Sequence, residues 1–206
     1  MSVDLKKIST ETRNQNTLDI DVVPTIEILQ KINNEDKTIA YAVEKALPQI
    51  AEVVEKVYEA FINGGRLIYM GAGTSGRIGI LDAVECPPTY GVDYNMVQCL
   101  MAGGEKAFIK AVEGAEDSLT QGKEDLININ LSSKDVVIGI AASGRTPYVI
   151  GGLNYANEVG AVTSCITTSA NSIIESIVKL PIVAVTGPEP ITGSTRMKSG
   201  TAQKMI

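Results

Sequence analysis

Three stretches of this 206-residue chain gather glycine and hydroxyl side chains in short runs: Gly71-Ala-Gly-Thr-Ser-Gly76, Ser143-Gly-Arg-Thr-Pro147 and Thr192-Gly-Ser-Thr-Arg-Met-Lys-Ser-Gly-Thr201. Glycine lets a backbone turn sharply and approach a ligand closely. Thr74 and Ser75 add hydroxyls, and a helix beginning just after them would offer free N–H groups at its positive end. That combination binds an anion such as a phosphate. Pro147 is likewise placed to open a helix behind Ser143. The first run also fits G-x-G-x-x-G, the dinucleotide fingerprint. Its usual companion is an acidic residue about 20 positions on, at the end of the second strand. Here the second apolar run ends near Ala102, and the acid there is Glu105. Several hydroxyl-rich loops suit one phosphate and the hydroxyls of a sugar better than a pyrophosphate. Any one loop, taken singly, reads equally well as an ordinary turn.

The chain has no histidine. Ser–His and Cys–His nucleophilic machinery, histidine metal sites and histidine bases are excluded with it. Proton transfer must fall to Glu, Asp, Lys, Tyr or Cys. Two acids are candidates. Glu85, in Leu81-Asp-Ala-Val-Glu-Cys-Pro-Pro88, sits where Pro87 and Pro88 are expected to stop a helix. A carboxylate at a helix C-terminus meets unfavourable dipole charge. Glu116 follows Gly114, at a junction between helical segments. Glu85 reads alternatively as a solvated side chain, and Glu116 as a capping acid. Asp82 and Glu113 read as surface or capping residues. The cysteines Cys86, Cys99 and Cys165 are widely spaced without C-x-x-C, which argues against disulfides and zinc. They read as small, partly buried apolar side chains.

The elements that must position these loops show in the apolar pattern. Five continuous runs, at 66–70, 95–101, 135–140, 161–167 and 180–185, each close on glycine or hydroxyl residues. Continuous rather than alternating runs suit strands buried on both faces of a parallel sheet. Helical segments are predicted between them at 76–86, 105–127, 147–159 and 171–178. The alternation predicts a doubly wound α/β fold. Before it, Pro24 can begin one helix. A second, from near Glu35, carries Ile39, Val43, Leu47, Ile50, Val54, Val57 and Phe61 at helical spacing, with Pro48 kinking or dividing it. Asn63-Gly64-Gly65 ends it. The organisation expected is an N-terminal helical segment over 1–62 and a sugar-phosphate-binding domain over 63–206.

A 44% hydrophobic content is enough for one packed core. No run approaches the roughly 18–20 apolar residues that span a bilayer. Residues 1–18 are polar and read as loosely ordered, without the apolar centre of a signal peptide. The net charge of −6, with no basic cluster, argues against nucleic acid. A cytoplasmic setting is expected. The last residues lie inside a helical pattern with no stop signal, as in a fragment of a longer chain.

The segments GAGTSGRIGILDAVECPPTYG (71–91), AGGEKAFIKAVEGAEDS (102–118), DVVIGIAASGRTPYVIGGL (135–153), TGSTRMKSGTAQK (192–204) and INNEDKT (32–38) resemble the N-acetylmuramic acid 6-phosphate etherases. The glycine-rich loops are shared more widely among sugar-isomerase (SIS) domains. The resemblance implies a five-stranded parallel sheet of flavodoxin-like order with N-terminal helices, usually in a homodimer. It implies an enzyme without cofactor or metal. The reaction implied is cleavage of the D-lactyl ether of the muramic sugar phosphate, with Glu85 and Glu116 as the acid/base pair. Holders of phosphate and sugar would be Thr74, Ser75, Ser143, Thr146 and Ser194, with Arg145, Arg196 and Lys198 as charge partners. A sugar-phosphate isomerase and a non-catalytic sugar-phosphate sensor are the rival classes.

Overall fold

The computed structural model describes residues 12–206. The reading of the extreme N-terminus, including Thr10 and Glu11, lies outside the described residues. Five parallel strands, β1 (Leu67–Gly71), β2 (Val97–Met101), β3 (Val136–Ile140), β4 (Val162–Thr167) and β5 (Leu180–Val183), form one sheet in the order β2-β1-β3-β4-β5. This is the doubly wound, flavodoxin-like order expected. The order reverses between β1 and β3, which pair in register from Leu67 opposite Val136 to Gly71 opposite Ile140.

Side chains alternate across each strand, so the sheet carries two cores. On one face, Leu67, Val136, Ile138, Ile140, Ile166 and Ile182 pack with residues of α2 (Ile39–Glu44), α3 (Leu47–Ile62), α4 (Gly73–Tyr90) and α9 (Lys198–Met205). On the other, Ile68, Met70, Val137 and Cys165 pack with α6 (Gln121–Asn128), α7 (Pro147–Val159) and α8 (Ile173–Ile177). A helix α1 (Thr25–Asp36) precedes α2, and a short α5 (Lys106–Ile109) follows β2. No helix among the described residues is long and apolar enough to cross a membrane.

Several boundaries differ from the sequence expectation for identifiable reasons. Pro48 does mark a division: α2 ends at Glu44, and the proline lies in the first turn of α3, where its missing N–H costs nothing. Glu35, expected to open the second helix, instead lies near the end of α1. Pro87 and Pro88 do not stop α4. Both lie within its last turns, and the helix runs on to Tyr90. It ends at Gly91, whose left-handed backbone (φ 67°) turns its N–H onto Pro87 O. Proline keeps helical φ, and the lost bonds fall on only two carbonyls, those of Ala83 and Val84. The helical stretch expected over 105–127, with a junction after Gly114, is three pieces: α5, a 3-10 turn at Ala115–Asp117, and α6. The break follows from extended backbone at Lys110 and left-handed Gly114. Nor are residues 12–18 loose. Asn14 and Thr17 are buried, and they donate to Pro188 O (3.2 Å) and Pro190 O (2.7 Å) respectively.

Two ion pairs with buried carboxylates tie distant segments together. At the amino ends of the strands, Asp135 accepts from the Arg66 guanidinium (2.8 Å) and from the backbone N–H groups of Arg66 and Ser132. Near the other end of the sheet, Lys198 Nζ lies 2.6 Å from Glu35 Oε2, with both side chains buried. Asn16 donates to the second Glu35 oxygen at 2.8 Å. Burial alone would raise both carboxyl pKa values. Arg66 and the Ser132 amide outweigh it for Asp135, and Lys198, Asn16 and Asn14 outweigh it for Glu35, so both lie below their ordinary values. A carboxyl with a depressed folded-state pKa adds stability that is present above its unfolded pKa and lost as pH falls through the folded one. The urea midpoint should therefore hold near neutrality and decline in the acid range below about pH 4 to 5. Asp135→Asn should lower the neutral-pH midpoint and make the acid decline shallower. A parent midpoint unchanged between neutral pH and pH 3 would contradict this account.

Candidate functional site

The β1–α4 turn is built by close approach. A Cβ on Gly71 would lie 2.7 Å from Gly76 N, and one on Gly76 would lie 2.9 Å from Gly71 O. The helix can start directly behind the strand only because both residues are glycine. The fingerprint-like spacing of these glycines is thus a packing requirement. Ala72, the N-cap of α4, makes no side-chain cap bond, and the first helical bond closes from Gly76 N to Ala72 O. The N–H groups of Gly73, Thr74 and Ser75 therefore have no partner within the helix.

The same arrangement recurs one strand away. Thr146 is the N-cap of α7, again without a side-chain cap bond, and Pro147 is its first residue. Because Gly71 and Ile140 are level in adjacent strands, the two uncapped helix N-termini leave the sheet side by side at the point where strand order reverses. That crevice is where ligands bind in open α/β sheets. Thr74, Ser75, Ser143, Arg145 and Thr146 all belong to these two turns. Ser143 and Thr146 are half-buried. Ser75 is buried, and its hydroxyl donates to Gln203 Oε1 at 2.9 Å. Its oxygen lone pairs remain available as acceptors.

The third hydroxyl-rich stretch is arranged differently. The first N–H groups of α9, from Lys198 and Ser199, are already bonded at 2.7 and 2.9 Å to the carboxylate of Glu189, which is fully buried. The Lys198 ammonium is paired with Glu35. In this stretch Ser194 is half-buried and Arg196 exposed. Sequence reading missed Glu35, Glu189 and Gln203 as parts of this region. Their roles depend on long-range pairing that no local spacing reveals.

Both candidate glutamates are exposed, and they line different cavities. Glu116, in the 3-10 turn, borders a cavity of about 250 Å³ that also includes Gly73, Arg77 and Met101. It therefore adjoins the α4 N-terminus. Arg77, another residue the sequence reading passed over, donates to the carbonyls of Ala107 (2.8 Å) and Phe108 (2.9 Å) and holds the α5 turn beside this cavity. Glu85 lines a larger, mostly apolar cavity of about 630 Å³, with Tyr69, Asp82, Ile140 and Gln203 among its walls. The Tyr69 hydroxyl donates to Asp82 at 2.9 Å. Since α4 continues to Tyr90, Glu85 is not at a helix end, and the dipole argument for it lapses. Glu85 is twelve residues beyond Gly73, about 18 Å along the helix axis at 1.5 Å per residue.

Burial pushes the Cys99 and Cys165 thiols up to about 12, so neither is a nucleophile near neutral pH. Among the described residues, no group of three His, Cys, Asp or Glu side chains could hold a metal ion.

Comparison with known proteins fits this geometry. Residues 49–157 match the glucokinase regulatory protein N-terminal SIS domain. The chain is 60% identical over 205 residues to N-acetylmuramic acid 6-phosphate etherase of Clostridium botulinum (strain Langeland), covering all of this chain and 68% of that protein. It is 59% identical over 202 residues to the protein of the same name from Vibrio atlanticus, covering 98% of this chain and 66% of that one. Among solved structures, phosphoheptose isomerases from Francisella tularensis and Neisseria gonorrhoeae both superpose with a TM-score of 0.64 at 14% identity. They cover 89% and 88% of this chain, and it covers 96% and 94% of theirs. At that identity the likeness establishes the SIS-type fold alone. Identity of 60% along the whole chain establishes more: the chain belongs to the N-acetylmuramic acid 6-phosphate etherase family of enzymes.

Proposed function

We propose that this chain cleaves the D-lactyl ether of N-acetylmuramic acid 6-phosphate, giving N-acetylglucosamine 6-phosphate and D-lactate. The observation that carries the reading is the pair of uncapped helix N-termini at the β1/β3 reversal, in a chain 60% identical to proteins named for this activity. The phosphate lies against the N–H groups of α4 and α7, with Thr74, Ser75, Ser143 and Thr146 supplying hydroxyls. Arg145 and Ser194 flank it. The product feeds the reuse of cell-wall sugars in the cytoplasm.

In the ring-opened sugar C1 is an aldehyde, which acidifies the C2 proton. A carboxylate removes that proton, and lactate leaves from C3 taking a proton from a second acid. Water then adds at C3, and C2 is reprotonated. The net change is ether plus water to alcohol plus lactate. The breaking and remaking of the C3–O bond are each assisted by proton transfer, so two glutamates suffice in a chain without histidine. Glu85 moves the C2 proton, and Glu116 assists lactate departure and water return.

One chain holds these glutamates in separate cavities, and in our reading a second copy brings its Glu85 to this chain's Glu116. A homodimer across α3 and α4 fits the exposed apolar side chains there: Leu47, Val54, Tyr58 and Ile62 on α3, and Leu81 and Val84 on α4. The rival isomerase and sensor readings require no lactate release.

Three outcomes follow. Ser75→Ala and Ser143→Ala should each weaken binding of the product sugar phosphate about tenfold or more, since a hydrogen bond to a charged group is worth about 1.5–3 kcal/mol. Calorimetry giving the parent equal affinity for the phosphorylated and plain sugars would remove the phosphate site. Glu85→Gln and Glu116→Gln should each lower lactate release by about 10²–10⁴-fold with binding retained. In D₂O, Glu116→Gln should still place deuterium at substrate C2 by NMR, while Glu85→Gln should not. The reverse pattern exchanges the two roles, and full lactate release by both variants rejects the pair. Finally, mixing the two inactive variants under subunit exchange should restore lactate release, because one centre per hybrid dimer then holds both glutamates. No recovery in verified hybrids would mean that the centre lies within one chain.

A further inference from the structure

Two segments far apart in the chain meet in the buried pair Glu35–Lys198; the resemblance offers Lys198 as a phosphate partner and gives Glu35 no task, yet the Lys198 ammonium is held by Glu35. Stability alone does not account for the pair. Taking two charges out of water is expensive, and well-packed apolar residues often replace such pairs without loss. The best-attested use of a buried ion pair is to fix register. What is fixed here is α9. Glu35 holds the Lys198 side chain at 2.6 Å, while Glu189 receives the backbone N–H groups of Lys198 and Ser199. The first turn of the helix is therefore gripped from both sides.

Ser199, in that first turn, and Gln203, one turn on, share a face of α9 that meets two of the strand ends that carry hydroxyls. Ser199 Oγ accepts from Thr168 Oγ1 at 2.9 Å, just beyond β4, and Gln203 Oε1 accepts from Ser75 Oγ at 2.9 Å, in the α4 turn. Ser199 and Gln203 are four residues apart, so a single rotation of α9 about its axis sets both contacts. The donation to Gln203 in turn directs the Ser75 lone pairs.

We propose that Glu35, Lys198 and Glu189 form a clamp that sets the rotation of α9 and thereby orients the Ser75 hydroxyl for the ligand. Glu35 is a positioning residue: it reaches the site through Lys198, α9 and Gln203. Lys198 serves the site as the clamp's cation. The inference rests on the sugar-phosphate reading above.

The test uses calorimetry with N-acetylglucosamine 6-phosphate, alongside thermal melting, on the parent, Glu35→Gln, and the double variant Glu35→Leu/Lys198→Met. Glu35→Gln leaves Lys198 unpaired and should melt lower. At a temperature where it is folded, it should bind about tenfold more weakly. The double variant removes both charges together. Its melting temperature should return to or exceed that of the parent, while its affinity stays low, a split that a merely structural pair would not give. Recovery of affinity along with stability would overturn the clamp, as would unchanged affinity in Glu35→Gln. Tighter binding by Glu35→Gln would also overturn it, making Lys198 a direct ligand contact that Glu35 restrains. A parent that binds no sugar phosphate would bring down the site reading and the clamp together. A parent that binds normally isolates the clamp for judgement.

Discussion

The contact between Gly71 and Gly76 sets where α4 can begin. With no Cβ on either residue, the helix starts directly behind β1, and a side chain at either position would meet backbone atoms at under 3 Å. Backbone there cannot move aside cheaply, because β1 is held between β2 and β3. Much of the proposed site follows from this placement. It puts three unpaired N–H groups at the strand-order reversal, beside the equally uncapped α7. It also carries Arg77 to the carbonyls of the α5 turn, which holds the wall that includes Glu116. A helix begun one residue later would rotate each of these by about 100°.

Where α4 and α7 leave their positive ends open, α9 has its own closed by Glu189. Of these three helix starts at the carboxyl end of the sheet, two are available to an anion and one is satisfied internally. The difference comes from one buried carboxylate, and it assigns the third hydroxyl-rich stretch a structural task. The segment just before that stretch anchors the chain's opening turns, through Asn14 and Thr17 to the carbonyls of Pro188 and Pro190.

The parallel sheet was legible because its strands are short apolar runs punctuated by glycine, and burial on both faces leaves few other readings. The two hydroxyl-rich turns at the strand-order reversal were legible for a related reason, since the residues that permit a tight strand-to-helix turn are also those that present hydroxyls and bare N–H groups. What local pattern could not give was the end of α4. The Pro87-Pro88 pair argues for a stop, yet helical φ is open to proline, and Gly91 supplies a left-handed cap a few residues later. Nor could spacing foretell that Lys198, a cation in a loop rich in hydroxyls, spends its charge on Glu35, 163 residues away. Composition names the groups, whereas partners across the fold are set by packing that no window of sequence contains. The family resemblance supplied Glu85 and Glu116 as a pair, where local reasoning had left each with an ordinary alternative.

The two glutamates bear on how such a site must be completed. Carbon-acid chemistry run by carboxylates needs water excluded from around the reacting atoms, so that fixed protein groups replace solvent. On a single chain both glutamates are exposed, and they are separated by a long stretch of α4. The apolar side chains left uncovered on α3 and α4 lie on the elements that wall the Glu85 cavity. Two of those side chains, Val54 and Leu81, line the cavity itself, so a surface that covers them would also narrow its opening to water. Burial of the helix faces and assembly of the proposed reaction centre then become a single event, and the hydrophobic free energy of association is what would hold the two carboxylates in one dry site.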